Sequence, residues 1–232
     1  MSGSKEREKK IYEAAKELQS KGSHNDKGFR VVITGKGGVG KTTLTALLAK
    51  LFSKSGYNVL AADEDPQMNL PFALGIPGDQ EIIPISKNFD YIEEKTGARP
   101  GASWGGFLSL NPDVSDVVDR FGIKTDDGIN LIVMGSVIQA AAGCLCPENT
   151  LLEATMDYIS LRENEIILMD TQAGVEHFGR ALAKGFNQAV VITEPTFNSY
   201  QVALHAAKLA RQLGISYVHL VISKIIDDSK KS

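Results

Sequence analysis

Two short stretches of this 232-residue chain combine residue types and spacings that suit chemistry. The first is GKGGVGKTT, Gly35 to Thr43. Gly35, Gly37, Gly38 and Gly40, with Val39 among them, let successive backbone N–H groups converge on phosphate oxygens. Lys41 is then placed to reach β and γ phosphates, and Thr42, followed by Thr43, offers a hydroxyl to magnesium. The second stretch is AAGCLCPENT, residues 141 to 150, which holds both cysteines of the chain, Cys144 and Cys146. Residues i and i+2 make a poor disulfide, and thioredoxin-type exchange uses two intervening residues rather than one. As thiolates the pair is half of a four-ligand site for zinc or a similar ion. A two-fold dimer supplies the other half, because a residue on the axis meets its own copy. The competing reading is two small residues packed in a turn.

Acidic residues extend the first site. ADEDPQMN, Ala62 to Asn69, follows an apolar run, and an acidic residue there can orient an attacking water or hold a magnesium-bound one. Asp63 and Asp65 can equally cap the strand end. Four apolar residues lead into Asp170 of IILMDTQAG, the pattern of an aspartate that holds magnesium through water. Ala173 and Gly174 suit a loop that senses the γ-phosphate.

Elements must hold these residues in place. Apolar runs at 29–35, 58–63, 129–135, 165–170, 188–194 and 217–223 alternate with helical stretches. That alternation predicts an α/β fold, a mainly parallel sheet flanked by helices on both faces, with ligands beyond the carboxyl ends of the strands. GKGGVGKTT follows the first run and opens a helix, the context a P-loop requires. Pro147 favours a helix start, which puts Cys146 near a helix N-cap where the dipole favours thiolate. Residues 1–28 read as an appended helix and linker, with Ile11, Ala14, Ala15 and Leu18 at helical spacing, and 29–232 as the P-loop ATPase domain. Within it, 71–128, rich in Gly and Pro around Trp104 and Phe107, reads as an elaborated specificity region. A net charge of −3 gives no reason to expect nucleic acid or an anionic membrane as partner, and the charged N-terminal stretch lacks the apolar core of a signal peptide, so a cytoplasmic location is expected.

Lys36, directly after the first glycine, makes this stretch resemble the deviant Walker A loop of the class that includes the nitrogenase iron protein and the ParA and MinD ATPases. The resemblance implies a nucleotide-sandwich homodimer in which Lys36 reaches the partner's phosphates, and it assigns the water-orienting role to Asp65. Guanine readers of the superfamily carry Asn/Thr-Lys-x-Asp after a late strand; SKIID has Ser223 and Lys224 but Ile226 in place of the aspartate, which favours ATP. Glu194, Ser223 and Lys224 join the P-loop residues as expected nucleotide contacts. Within this class, DEDPQMNLPFALG, EEKTGARPGASWGGFLSLNPDVSD, VMGSVIQAAAGCLCPENTLL and DTQAGVEHFGRALAKGFNQAVVITEPTFNS resemble the CooC family of nickel-insertion ATPases. That resemblance implies ATP and Mg2+ bound through Thr42, Asp65 and Asp170. It implies Ni2+, or Zn2+ in the same site, held by Cys144 and Cys146, and carbon monoxide dehydrogenase as acceptor. Lys36, Lys41, Asp65 and Asp170 are the implied catalytic residues. A ParA/MinD-like positioning ATPase and an iron–sulfur electron-transfer ATPase are the alternatives. Glu176 and His177 are either a helix-capping pair or a link between nucleotide and metal. His24, His205 and His219 show no ligand spacing.

Overall fold

The structure, a computed structural model, describes residues 2–21, 28–101, 108–135, 146–162, 164–172 and 185–225. In chain order its first elements are α1 (Ser2–Ser20), β1 (Phe29–Gly35), α2 (Lys41–Lys54), β2 (Val59–Asp63) and α3 (Leu70–Leu74). A 3-10 turn at Ile85–Lys87 leads to α4 (Phe89–Thr96), α5 (Val117–Phe121), β3 (Ile123–Lys124) and β4 (Asn130–Val133). The last described elements are α6 (Pro147–Leu161), β5 (Ile166–Asp170), β6 (Gln188–Thr193), α7 (Phe197–Gln212) and β7 (Tyr217–Ile222).

The apolar runs form strands because uncharged, β-branched segments can be buried on both faces. Every residue of β2, β5 and β6 is buried. The sheet order is β3-β4-β2-β5-β1-β6-β7, parallel except for β3 against β4. The expected α/β architecture is present, with one antiparallel edge strand added. At two residues, β3 is too short to leave a periodic signal.

Side-chain alternation splits the core in two. Phe29, Val31, Ile33, Val59 and Ala61 pack beneath α2, with Leu48 and Phe52. Val32, Leu60, Ala62, Ile167 and Met169 face the other layer, with Leu151 and Ile159 of α6 and Ala203 and Ala206 of α7. Part of the 71–128 region belongs to that second core: Ile85, Tyr91, Ile92 and Val117 are buried in it, and the Tyr91 hydroxyl donates to Asp116 at 2.9 Å. Trp104 and Phe107 lie outside the described residues.

α1 docks on the α2 side of the sheet. Ala15 and Leu18 are buried in that core, and the buried Gln188 amide donates to the Leu18 carbonyl at 2.9 Å. His219 bridges Glu17 at 3.3 Å and Gln188 at 3.2 Å, a structural place that fits its lack of ligand spacing. A helix held this way contributes to global stability. Leu18→Ala is therefore expected to cost about 2–5 kcal/mol, the range for a buried leucine truncated to alanine. Urea denaturation checks it, and a loss within about 0.5 kcal/mol, the scale of a surface substitution, would mean that the helix is not part of the cooperative unit.

Candidate functional site

Strand register assembles the site. Asp170 at the end of β5 pairs with Ile33 of β1 on one side and with Asp63 of β2 on the other. Gly35, the last residue of β1, pairs with Ile192 of β6. The phosphate loop therefore starts at the shared carboxyl edge of these parallel strands, where α2 after β1 and α7 after β6 pack on opposite faces of the sheet.

The loop is built for close backbone approach. Gly35 has φ 147, and a Cβ there would lie 2.2 Å from the Ile192 carbonyl oxygen, so no larger residue fits without moving β6. Gly38 and Gly40 have φ 79 and 100, in the left-handed region that suits glycine. Gly40 caps α2 without any side-chain acceptor, so the first amides of the helix remain free to face an anion. Val39 is buried, Gly37 exposed, Thr42 half-buried and Thr43 exposed. Lys41 is only 6% exposed, and its ammonium donates to the Lys36 carbonyl across the loop at 3.4 Å. Burial lowers its pKa, while the carboxylates of Asp170 and Asp65 work in the opposite direction.

Four acidic residues sit at the strand ends, and each is held differently. Asp63 is buried and spans a turn: one oxygen accepts from the Asp65 amide at 2.9 Å, the other from the Leu70 amide at 3.1 Å. Burial raises its pKa to about 7 despite those two bonds. This satisfied carboxyl shapes the turn, as the strand-capping reading of Asp63 expects. Asp65 is half-buried and accepts from the Gln67 amide at 2.9 Å. Glu64, with no role suggested by the sequence, is 6% exposed, and burial pushes its pKa to about 8. Glu64 Oε2 is buried without a hydrogen bond.

Asp170 is the fourth. Both of its oxygens are buried and neither accepts a formed hydrogen bond, and burial raises its pKa to about 6. The hydroxyls of Thr42 and Thr45 and the charge of Lys41 lie close enough to counter part of that rise. A buried carboxylate with no better support than nearby hydroxyls is costly unless a cation joins it. Magnesium beside the Thr42 hydroxyl fits this donor set. Among the described residues no group of three or more ligating side chains converges.

The base-side residues are partly occupied by one another. Ser223 donates to the Val39 carbonyl at 2.8 Å, with the Thr193 carbonyl a second acceptor at 3.1 Å, so its hydroxyl ties the end of β7 to the phosphate loop. Lys224 donates to Glu194 at 3.1 Å, and Lys36 lies 3.8 Å from the other Glu194 oxygen. The sequence signalled neither contact. Ile226 lies outside the described residues, as do Cys144, Ala173, Gly174, Glu176, His177 and His24. Cys146 is described: it is half-buried, in extended conformation as the N-cap of α6, with Pro147 next in the first turn.

The profile of the CobQ/CobB/MinD/ParA nucleotide binding domain matches residues 30–231. The chain belongs to that family. An uncharacterised ATP-binding protein of Methanocaldococcus jannaschii is 39% identical over 203 residues, covering 88% of this chain and 77% of that protein. The carbon monoxide dehydrogenase accessory protein CooC of Rhodospirillum rubrum is 38% identical over 199 residues, covering 85% and 74%. Among solved structures, the MinD cell division protein of Aquifex aeolicus shares the fold with a TM-score of 0.57 at 22% identity, over 88% of this chain and 72% of that one. The chain is thus an ATP-binding P-loop ATPase of the MinD/ParA type, and among the described residues no helix is long and apolar enough to cross a membrane.

The raised carboxyl pKa values set opposite pH trends for the free and the liganded protein. Carboxyls that ionise near 4 when unfolded but near 6 to 8 when folded stabilise the fold below about pH 4 and lose that contribution as pH rises through 6 to 8. A cation beside Asp170 would need its carboxyl ionised. Mg2+-dependent affinity for an ATP analogue is therefore expected to fall by up to roughly tenfold per pH unit below 6 and to level off above it. Calorimetric titration of the wild type and Asp170→Asn checks this; equal slopes in the two proteins would remove Asp170 from the metal's surroundings.

Proposed function

We propose that the chain is an ATP-dependent metallochaperone that binds nickel through Cys144 and Cys146 at a homodimer interface and delivers it to carbon monoxide dehydrogenase. The observation that carries the reading is the place of Cys146. α6 ends five residues before β5 begins, at the amino edge of the sheet, and its 15 residues span about 22 Å back toward the carboxyl edge. The Cys146 end of α6 thus lies on the side where β4 ends beside Asp63, whose carbonyl accepts from the Met134 amide at 2.9 Å. The phosphate loop opens at that same edge. The likeness to CooC of Rhodospirillum rubrum supports the choice of acceptor and cargo.

In this reading nickel is the cargo and ATP the gate. Lys41 and the free amides of α2 hold the phosphates; Thr42, Asp65 and Asp170 would hold magnesium, which would supply charge neutralisation at the phosphates. Lys36 crosses to the partner's nucleotide, and Asp65 orients the attacking water. Two subunits drawn face to face complete a four-thiolate site from two Cys-x-Cys pairs, which one subunit offers only in half. Hydrolysis reopens the dimer and frees the metal.

Anaerobic nickel titration of the metal-free protein tests the proposal, with Cys144→Ala and Cys146→Ala as controls. The expected result is one nickel per dimer, lost in both variants while ATP-analogue binding persists. Nickel binding that survives both substitutions would refute the site. A brown protein after anaerobic purification, with cluster absorbance, would replace the nickel reading by an iron–sulfur one.

A further inference from the structure

Lys36 and Lys41 stand at opposite ends of one loop but are held in different ways. Lys41 is buried and fixed against the loop backbone. The Lys36 side chain is 41% exposed, and its ammonium lies 3.8 Å from Glu194 Oε1, an ion-pair distance too long for a hydrogen bond. The second oxygen of the same carboxylate accepts from Lys224 at 3.1 Å. Glu194 is the first residue beyond β6, and Lys224 lies two residues beyond β7.

The holder is well anchored. The Ser223 hydroxyl ties the turn that carries Lys224 to Val39 of the phosphate loop. Lys224 itself has φ 53, a left-handed conformation disfavoured for a residue with a side chain, and the ion pair forms at that strained turn. The ionised form of Glu194 is favoured by Lys224 first and Lys36 second. The asymmetry matters. Lys224 holds the carboxylate closely and Lys36 loosely, so Lys36 can leave without stranding an unpaired anion.

We propose that Glu194 is the positioning residue of Lys36: in the isolated subunit it holds the ammonium in cis, and nucleotide phosphates bound to a second copy must draw the ammonium away before two subunits close. The inference rests on the dimer reading given above. It assigns Glu194 to the step that precedes chemistry rather than to the base. A partner without nucleotide offers no anion to compete with Glu194, so Lys36 stays in cis and empty subunits have less reason to pair. A triphosphate with its higher charge reverses the preference.

Substitutions on either side of Lys36 should act with opposite signs. Glu194→Gln releases Lys36, whereas Lys224→Gln leaves Lys36 as the one cation at Glu194 among the described residues and tightens the cis contact. At saturating non-hydrolysable ATP analogue and Mg2+, sedimentation equilibrium should show dimers roughly threefold tighter in Glu194→Gln and weaker in Lys224→Gln, as expected for exposed ion pairs counted twice per dimer. A second readout needs no dimer: the acylation rate of the Lys36 amine in nucleotide-free protein, followed by mass spectrometry, should rise in Glu194→Gln and fall in Lys224→Gln. A merely structural role would move both variants in the same direction. Unchanged Lys36 reactivity in Glu194→Gln overturns the inference whether or not dimers form. A wild type that stays monomeric with analogue, while Lys36 reactivity shifts as stated, overturns the dimer reading and with it the exchange to a partner's phosphates.

Discussion

A buried carboxylate short of formed hydrogen bonds is the constraint around which this molecule is arranged. Asp170 ends a strand whose every residue is buried, and neither of its oxygens accepts a formed hydrogen bond. Such a group destabilises the fold unless a cation stands beside it. Lys41, itself buried, is a protein charge that favours the ionised form, and the Thr42 hydroxyl beside it would suit a magnesium ion. Parallel strands make this possible, because their carboxyl ends gather Gly35, Asp63 and Asp170 at one edge without any of them being local to another in sequence.

That edge also offers a physical route between the nucleotide and the cysteines. Beyond the strand ends the ladder continues: the Glu64 amide donates to the Asp170 carbonyl at 3.0 Å, and the Met134 amide to the Asp63 carbonyl at 2.9 Å. The chain leaving Met134 leads to Cys144 and Cys146. These backbone hydrogen bonds link the end of β5 through β2 to Met134, at the start of the chain segment that leads to the cysteines. The Ser86 amide, bonded to the Met134 carbonyl at 3.0 Å, braces the same point from the 3-10 turn. This contiguity gives the proposed gating a substrate in the fold; coupling itself is a thermodynamic quantity.

Much of the frame was legible because its signals are local. GKGGVGKTT stands between β1 and α2, where the motif's geometry demands, and Pro147 marks the start of α6 with Cys146 as its N-cap. What stayed hidden depends on contacts between distant segments. The docking of α1 rests on Gln188 and His219, which no periodicity within residues 2–20 can announce. The burial of Glu64 follows from its position at the end of a central strand, whereas its residue type alone suggests a solvated charge. The same holds for Glu194: a carboxylate beside a turn is unremarkable until the sheet order brings β6 and β7 next to the loop that follows β1.

The account stands on coupling between nucleotide and metal, so its most direct test is reciprocal. Nickel affinity is measured with and without saturating ATP analogue, and analogue affinity with and without nickel, on the same anaerobic protein. If both ligands favour one closed dimer, each tightens the other by the same factor. A nickel affinity that ignores the nucleotide would leave a P-loop ATPase and a thiol pair that share a chain without sharing a mechanism.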